Sequence, residues 1–289
     1  MIPHVRESLT VFFSYSHTLT LSHFVIFVRI SLTPPMCYDI SFTVKLKELP
    51  AYFPDLEPPL QLELDFDGTH IMGHSFNGHP IIYREREDNK LSVRPMEWGV
   101  IPFYVKNEKD FLRQRASMLN TRSERILGDE KSYWYKIHNR RCLIPVTGVY
   151  EHRAIKGWKK KVPYFISLRD QPMFFLPGLY SVVDLPDLQT GEMLKRYTFS
   201  LITRDGNDLM KKIHNDGENR GRMPLFIPLD LSKEFLEGDL SVERYKEILQ
   251  FEMPEEKMEA ITVYTIRSGK PRPDGKAKNE YWEWEKLPA

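Results

Sequence analysis

The stretch Arg141-Cys142-Leu143-Ile144-Pro145-Val146-Thr147-Gly148-Val149-Tyr150-Glu151-His152-Arg153 sets the fold class of this chain. It is a run of β-branched, aromatic and aliphatic residues punctuated by proline and glycine, the composition of strands rather than helices. Working outward, the segments 79–84, 91–102, 162–168, 173–183, 197–204 and 260–266 repeat the pattern, separated by Gly, Pro, Asp and Asn. Residues 156–161 and 184–192 read as hairpin loops. Helical spacing is rarer. It occurs over 108–119, through Phe111, Leu112, Ala116 and Leu119, and over 207–214 and 241–249, with Asn207 and Ser241 as N-caps. The expectation is an α+β protein that is predominantly β: a curled or barrel-like mixed sheet with peripheral helices.

Bulk composition narrows the partners. The 289 residues are 41% hydrophobic and 28% charged, with a formal net charge of only +1. A nucleic-acid partner would therefore need a local basic face, because the global field is close to neutral. The two cysteines, Cys37 and Cys142, exclude a disulfide framework and a four-cysteine zinc site, and fit a reducing, cytoplasmic compartment. His70 and His74 have the spacing of a helical metal pair, but Gly68 and Gly73 argue against a helix there and no Glu follows His70. Neither a metal nor a cofactor is expected.

Residues 1–35 differ from the rest. They are rich in aromatics, Ser and Thr, and their two apolar patches fall short of the ~18 residues of a membrane span. The junction Thr33-Pro34-Pro35-Met36-Cys37 fits no signal-peptidase site. The expectation is a non-native or removable leader over 1–35 and a single domain over 36–289. If the chain starts at Met36, loss of that methionine leaves Cys37 at the N-terminus, with a thiol and a free amine on one residue.

Several short stretches carry groups suited to chemistry. Met36-Cys37 is one. Trp98-Gly99-Val100-Ile101-Pro102 is followed by Asn120-Thr121-Arg122-Ser123-Glu124, which offers an amide and a guanidinium. Arg141-Cys142-Leu143-Ile144-Pro145 leads to Gly148-Val149-Tyr150-Glu151, a carboxylate on a strand, and Ile213-His214 precedes Arg222-Met223-Pro224. Each alone has a plain structural explanation. A single cysteine is usually a small buried hydrophobe, Asn120 could end a helix, and His214 at a helix terminus is favoured as a cation by the dipole.

Together and in this order, these motifs resemble the SOS-response-associated peptidase family, the SRAP domain, from Met36 to about Trp282. The resemblance implies an abasic-site sensor of the DNA damage response that binds single-stranded DNA. Cys37 would be the nucleophile of a covalent thiazolidine crosslink, with Asn120, Glu151 and His214 completing the site. It makes Arg122 and Arg222 candidate phosphate contacts, with Pro80 and Tyr104 weaker DNA-binding candidates. The implied partner is single-stranded DNA containing abasic sites, bound by a monomer with no membrane association. Lys159, Lys160, Lys161, Arg140, Arg141, Arg267 and Lys270 could add to a basic groove.

The chemistry is consistent with those roles. Glu151 can move the proton that opens the ring of an abasic deoxyribose, and an α-amine with a reference pKa near ~8 keeps a neutral fraction at physiological pH. His214 can shuttle protons, and Asn120 can hydrogen-bond without changing charge. Strand cleavage in the manner of an AP lyase is an adjunct to that reading. The alternatives are a cysteine autopeptidase that removes its own leader before Cys37, a hydrolase activity, and a non-catalytic nucleic-acid-binding module. The chain departs from the family at Tyr38-Asp39, where the pattern has Gly-Arg, at His152 in place of a Trp, and in the long insert 215–221. Asp39 would put negative charge near the DNA path and raise the α-amine pKa.

Overall fold

A computed structural model describes residues 39–43, 46–56, 68–187, 189–268 and 271–288. Twelve strands run in chain order: β1 (Asp39–Ser41), β2 (Ile71–Met72), β3 (Gly78–Arg84), β4 (Leu91–Trp98), β5 (Asn120–Arg122), β6 (Arg141–Val146), β7 (Gly148–Arg153), β8 (Val162–Leu168), β9 (Phe174–Pro186), β10 (Met193–Asp205), β11 (Arg222–Pro224) and β12 (Met258–Thr262). The helices are short: α1 (Glu108–Arg115), α2 (Glu124–Gly128), α3 (Tyr133–Lys136), α4 (Asp208–Ile213), α5 (Leu229–Phe235) and α6 (Val242–Gln250).

The strands make two layers. In one, β10, β4, β3, β6 and β9 close on themselves, because β9 pairs with β10 as well as with β6, giving a five-stranded barrel. The β4–β10 contact is parallel and the other barrel contacts are antiparallel, so the barrel is mixed, as the sequence suggested. The other layer is an antiparallel sheet in the order β12-β8-β7-β1-β2. Ile40, Ile71, Val149 and Ile166 of this second sheet join the main core with the barrel residues Ile82, Leu143, Leu176 and Phe199.

The opening stretch is not one strand but two, and the break lies at Thr147. β6 belongs to the barrel and β7 to the second sheet, so these thirteen residues stitch the layers together. The Thr147 amide donates to Ser41 O (2.7 Å) and its hydroxyl donates to Ser41 Oγ (3.1 Å), which seats β1 beside β7. Gly148 is required at the crossing, since a Cβ there would lie 2.2 Å from the Phe165 ring. Cys142 is fully buried in the barrel wall, where burial pushes its thiol well above the usual range and leaves it an apolar filler.

Several anticipated boundaries moved, among them the end of the helix expected over 108–119, which stops at Arg115, and the strand expected over 260–266, which runs over Met258–Thr262. The strand expected over 91–102 ends at Trp98, because Gly99 adopts φ +99° and turns the chain while the Trp98 indole N–H donates to Leu119 O (2.8 Å). The loop expected over 184–192 shortens to 187–192, since β9 and β10 run on as a ribbon whose Val183 and Leu185 pack with Phe111 of α1. The helix caps are as expected. Asn207 Oδ1 accepts from the Met210 amide and Ser241 Oγ from the Arg244 amide, at 3.0 and 3.1 Å.

Candidate functional site

The anticipated residues sit where β7 finishes and β1 begins, and on the strand pairs around the C-terminal half of β10. Glu151 is on β7, opposite Tyr164 of β8, and is buried. Side chains alternate along a strand, so Glu151 shares the inner face of the sheet with Val149, toward the main core. Tyr150 and His152 take the outer face. Tyr150 packs there with Phe165, Val263 and Ile266.

His214 follows α4 directly and is held from several sides. Its amide donates to Met210 O (2.7 Å), its carbonyl accepts from Gly221 N (2.7 Å), and its ring Nδ1–H donates to Arg222 O (2.9 Å). With Nδ1 carrying the proton, the neutral ring keeps its lone pair on Nε2, which is the atom free to act as a base. The next residue ties this histidine to the strand of Glu151. Asn215 Oδ1 accepts from the Ala154 amide (2.8 Å) while its Nδ2 donates to Ala154 O (3.0 Å), a two-point clamp one residue beyond β7.

The insert 215–221 is thus a connector. Besides the Asn215 clamp, Asp216 pairs with Lys161 of the β7–β8 loop at 2.9 Å, and Asn219 Oδ1 accepts from Arg122 Nη2 at 2.9 Å. Arg122 is exposed at the end of β5, whose first residue, Asn120, is buried opposite Leu201 of β10. A single polar segment therefore links the motifs of Arg122, His214 and Glu151. Sequence reading registered its length but not these contacts, although side-chain amides close to backbone are suited to such bridging.

Arg222 is placed differently from a free phosphate contact. It is buried at the start of β11, with bonds to Glu124 (2.5 and 3.0 Å), Asp205 (2.8 Å) and Thr203 O (3.0 Å). Burial raises the Glu124 carboxyl, but the Arg222 hydrogen bonds outweigh it and hold the group below its ordinary value. The Glu of the Asn-x-Arg-x-Glu motif thus serves this arginine. Pro80 is buried in β3, opposite the exposed Pro95 of β4. Tyr104 is 58% exposed and forms an aromatic trio with Phe103 and Tyr133, with ring centroids 5.5 to 5.9 Å apart. Cys37 lies outside the described residues, as do Tyr38 and Lys270.

On the outer face, Asp39 is opposite both Tyr150 and Met72 and is buried. His70 Nε2 lies 2.7 Å from its Oδ1, and Arg267 donates to its Oδ2. Burial alone would raise this carboxyl, yet the two hydrogen bonds and the Arg267 charge hold it below its ordinary value. The charge expected to face the DNA path is thus spent inside the protein. His152 beside it is pushed down to about 4, chiefly by burial, so the ring is neutral at neutral pH. His70 and His74, weighed as a metal pair, are not on one helix: His74 is in a single 3₁₀ turn and His70 is spent on Asp39.

A mixed barrel joined to a second antiparallel sheet, with the Asn120 amide buried beside β10, the Glu151 carboxylate buried on β7 and the His214 imidazole oriented by Arg222 O, defines an α+β domain with buried polar groups on both layers. The family model described as SOS response associated peptidase (SRAP) matches residues 36–267, and the chain belongs to that family. It is 29% identical to a protein of Bacteroides thetaiotaomicron whose crystal structure superposes with a TM-score of 0.67, over 84% of this chain and 97% of that one. It is 33% identical over 160 residues to abasic site processing protein YMR114C of Saccharomyces cerevisiae, covering 54% of this chain and 38% of that protein. It is also 29% identical over 185 residues to abasic site processing protein YoaM of Bacillus subtilis, covering 64% of this chain and 73% of the relative.

Proposed function

We propose that this protein processes abasic sites in single-stranded DNA by capturing them covalently on Cys37, once residues 1–36 are absent and Cys37 is N-terminal. The observation that carries the reading is the Asn215–Ala154 clamp, which holds His214 against the strand of Glu151. Cys37 is joined to the start of β1 through a single residue of sequence. It is two residues before Asp39, about 7 Å of chain at full extension, and Asp39 is paired beside Tyr150, the neighbour of Glu151. The relatives in yeast and Bacillus subtilis bear the name abasic site processing protein, which supports the substrate.

In the proposed reaction, Glu151 shuttles the proton that opens the deoxyribose hemiacetal to its aldehyde. The neutral α-amine of Cys37 adds to the aldehyde carbon, and the carbinolamine loses water to give an imine. The thiol then adds to the imine carbon and its proton passes to the nitrogen, closing a five-membered thiazolidine. One water is released overall. His214, with Nε2 as its base, serves the proton transfers. Amine and thiol on one residue meet at high effective concentration, which an internal cysteine cannot offer because its nitrogen is an amide. Asn120 positions the sugar by hydrogen bonding.

The test uses protein that begins at Cys37 and a single-stranded oligonucleotide with one abasic site. A denaturation-resistant adduct is expected, absent in Cys37→Ala and in protein that retains residues 1–36. No adduct with the wild-type residue at the N-terminus would sink the reading. The family description also names a peptidase, and removal of residues 1–36 by the chain itself would free the same amine. Mass spectrometry of the full-length chain tests it: cleavage before Cys37 that disappears in Glu151→Ala would support self-processing.

A further inference from the structure

Asp39 was expected to oppose DNA, but its carboxylate is turned inward and a cation faces out. The side chain of Asp39 is 3% exposed, whereas that of Arg267, its partner from 228 residues away, is 39% exposed. The pair is therefore a dipole with its positive end toward solvent. His70 holds the other carboxylate oxygen at 2.7 Å, so both oxygens are occupied and the anion is screened from the surface. His152 and His74 both lose basicity through burial and through the Arg267 charge.

The location matters as much as the charge. β1 begins at Asp39, at the end of the sheet where β7 finishes. Glu151 occupies the inner face there, while Asp39 and the Arg267 guanidinium bonded to it occupy the outer face. A nucleotide bound to Cys37 would have a neighbouring phosphate within reach of the outer lip, since Cys37 and Asp39 are separated by about 7 Å of chain at most.

We propose that Arg267, seated by Asp39, is a phosphate-binding residue for the DNA strand next to the captured abasic nucleotide. The buried carboxylate orients the guanidinium and its exposed edge takes the phosphate, an arrangement suited to the planar fork of arginine. This rests on the abasic-capture reading for the identity of the strand. It converts an apparent charge conflict into a charge exchange, in which the cation is supplied by the C-terminal segment instead of β1.

The experiment compares protein beginning at Cys37 with its Arg267→Gln variant, using an intact single-stranded oligonucleotide and the same sequence with one abasic site. For the intact strand, Arg267→Gln should weaken binding at low salt. The slope of log affinity against log salt should fall by about 0.7, the loss of one phosphate contact on a single strand. Arg267→Lys should keep most of the slope. In the wild-type chain, arginine modification read by peptide mass spectrometry should be blocked at Arg267 by the intact strand, which covers the case of a variant that fails to fold. A slope unchanged in Arg267→Gln, or Arg267 modified equally with and without DNA, overturns the proposal. Wild-type protein that binds the intact strand with the predicted slope but gives no abasic adduct strikes the capture reading alone. Protein that binds no single strand overturns both.

Discussion

Two arginines, each held by carboxylate, have opposite fates in this fold. Arg222 lies on β11, paired with the end of β10, its side chain 8% exposed, between Glu124 and Asp205, which are themselves 54% and 76% exposed. Arg267 lies on the outer face of the second sheet, 39% exposed, against an Asp39 that is 3% exposed. In the first pair the cation is inside and the anions are outside; in the second the order is reversed. The group left at the surface decides what a pair can offer a ligand. Arg222 is a structural pin that presents acid to solvent, and Arg267 is a presented cation with a structural anion behind it. Motif position alone would have ranked them the other way.

The comparison breaks most visibly at Arg222. Replacing it with Leu removes four hydrogen bonds, including that to Thr203 O, and loosens β11, whose Arg222 O accepts from the His214 ring Nδ1–H. Its carboxylate partners can rehydrate, so the loss should lie at the lower end for a broken buried ion pair, about 3 kcal/mol. A denaturant melt would measure it. A change under ~0.5 kcal/mol would mean that Arg222 is as free as Arg267. Adduct yield with abasic DNA should fall as well, through His214 rather than through lost phosphate binding, so the salt slope for an intact strand should stay at the wild-type value.

A smaller effect sharpens the link between the two regions. Asn215→Ala deletes both bonds to Ala154, and Asn215 is largely exposed, so stability should fall by only about 1 kcal/mol. The rate of adduct formation should fall more than stability does, because the clamp orients His214 toward the Glu151 strand. Asn215→Asp can keep the acceptor half of the clamp, toward the Ala154 amide, but not the donor half, and should recover part of the rate. Equal rates in wild type and Asn215→Ala would show that the hydrogen bonds from His214 to Met210 O and Arg222 O, and from Gly221 N to His214 O, already fix the histidine.

How much of this was legible follows from the kind of interaction involved. The strand-rich composition of 141–153 and of the segments around it is local, and it led to a mixed, barrel-like β fold. The crossing at Thr147–Gly148 was not legible. β6 and β7 are equally strand-like, and only the ring of Phe165, seventeen residues on, shows why a glycine must separate them. At the site, the motif residues Asn120, Glu151 and His214 could be named because they fall in recognisable short patterns. The partners that define them could not. Arg267 is 228 residues from Asp39, and Asn219 is 97 from Arg122. Pro80 shows the converse: named as a weaker DNA-binding candidate, it is buried within β3, which no local pattern announced.

The least disruptive change separates the two arginines by pH. The folded carboxyl of Asp39 lies below its ordinary 3.8 because the His70 and Arg267 contacts outweigh burial. Below that ordinary value the unfolded chain binds the proton first, so stability supplied by ionised Asp39 is complete above about pH 4 and is lost as pH falls through the folded value. Asp39→Asn lacks that contribution. Its stability deficit against wild type should shrink as pH falls below about 4 and through the folded value, as wild type loses the same charge. At neutral pH the deficit should be smaller than that of Arg222→Leu, since Arg267 can turn to solvent when its partner is gone. A deficit that stays constant down to pH 2 would mean that Asp39 acts through shape and hydrogen bonding alone. In that case the orientation of Arg267 would owe nothing to the charge behind it.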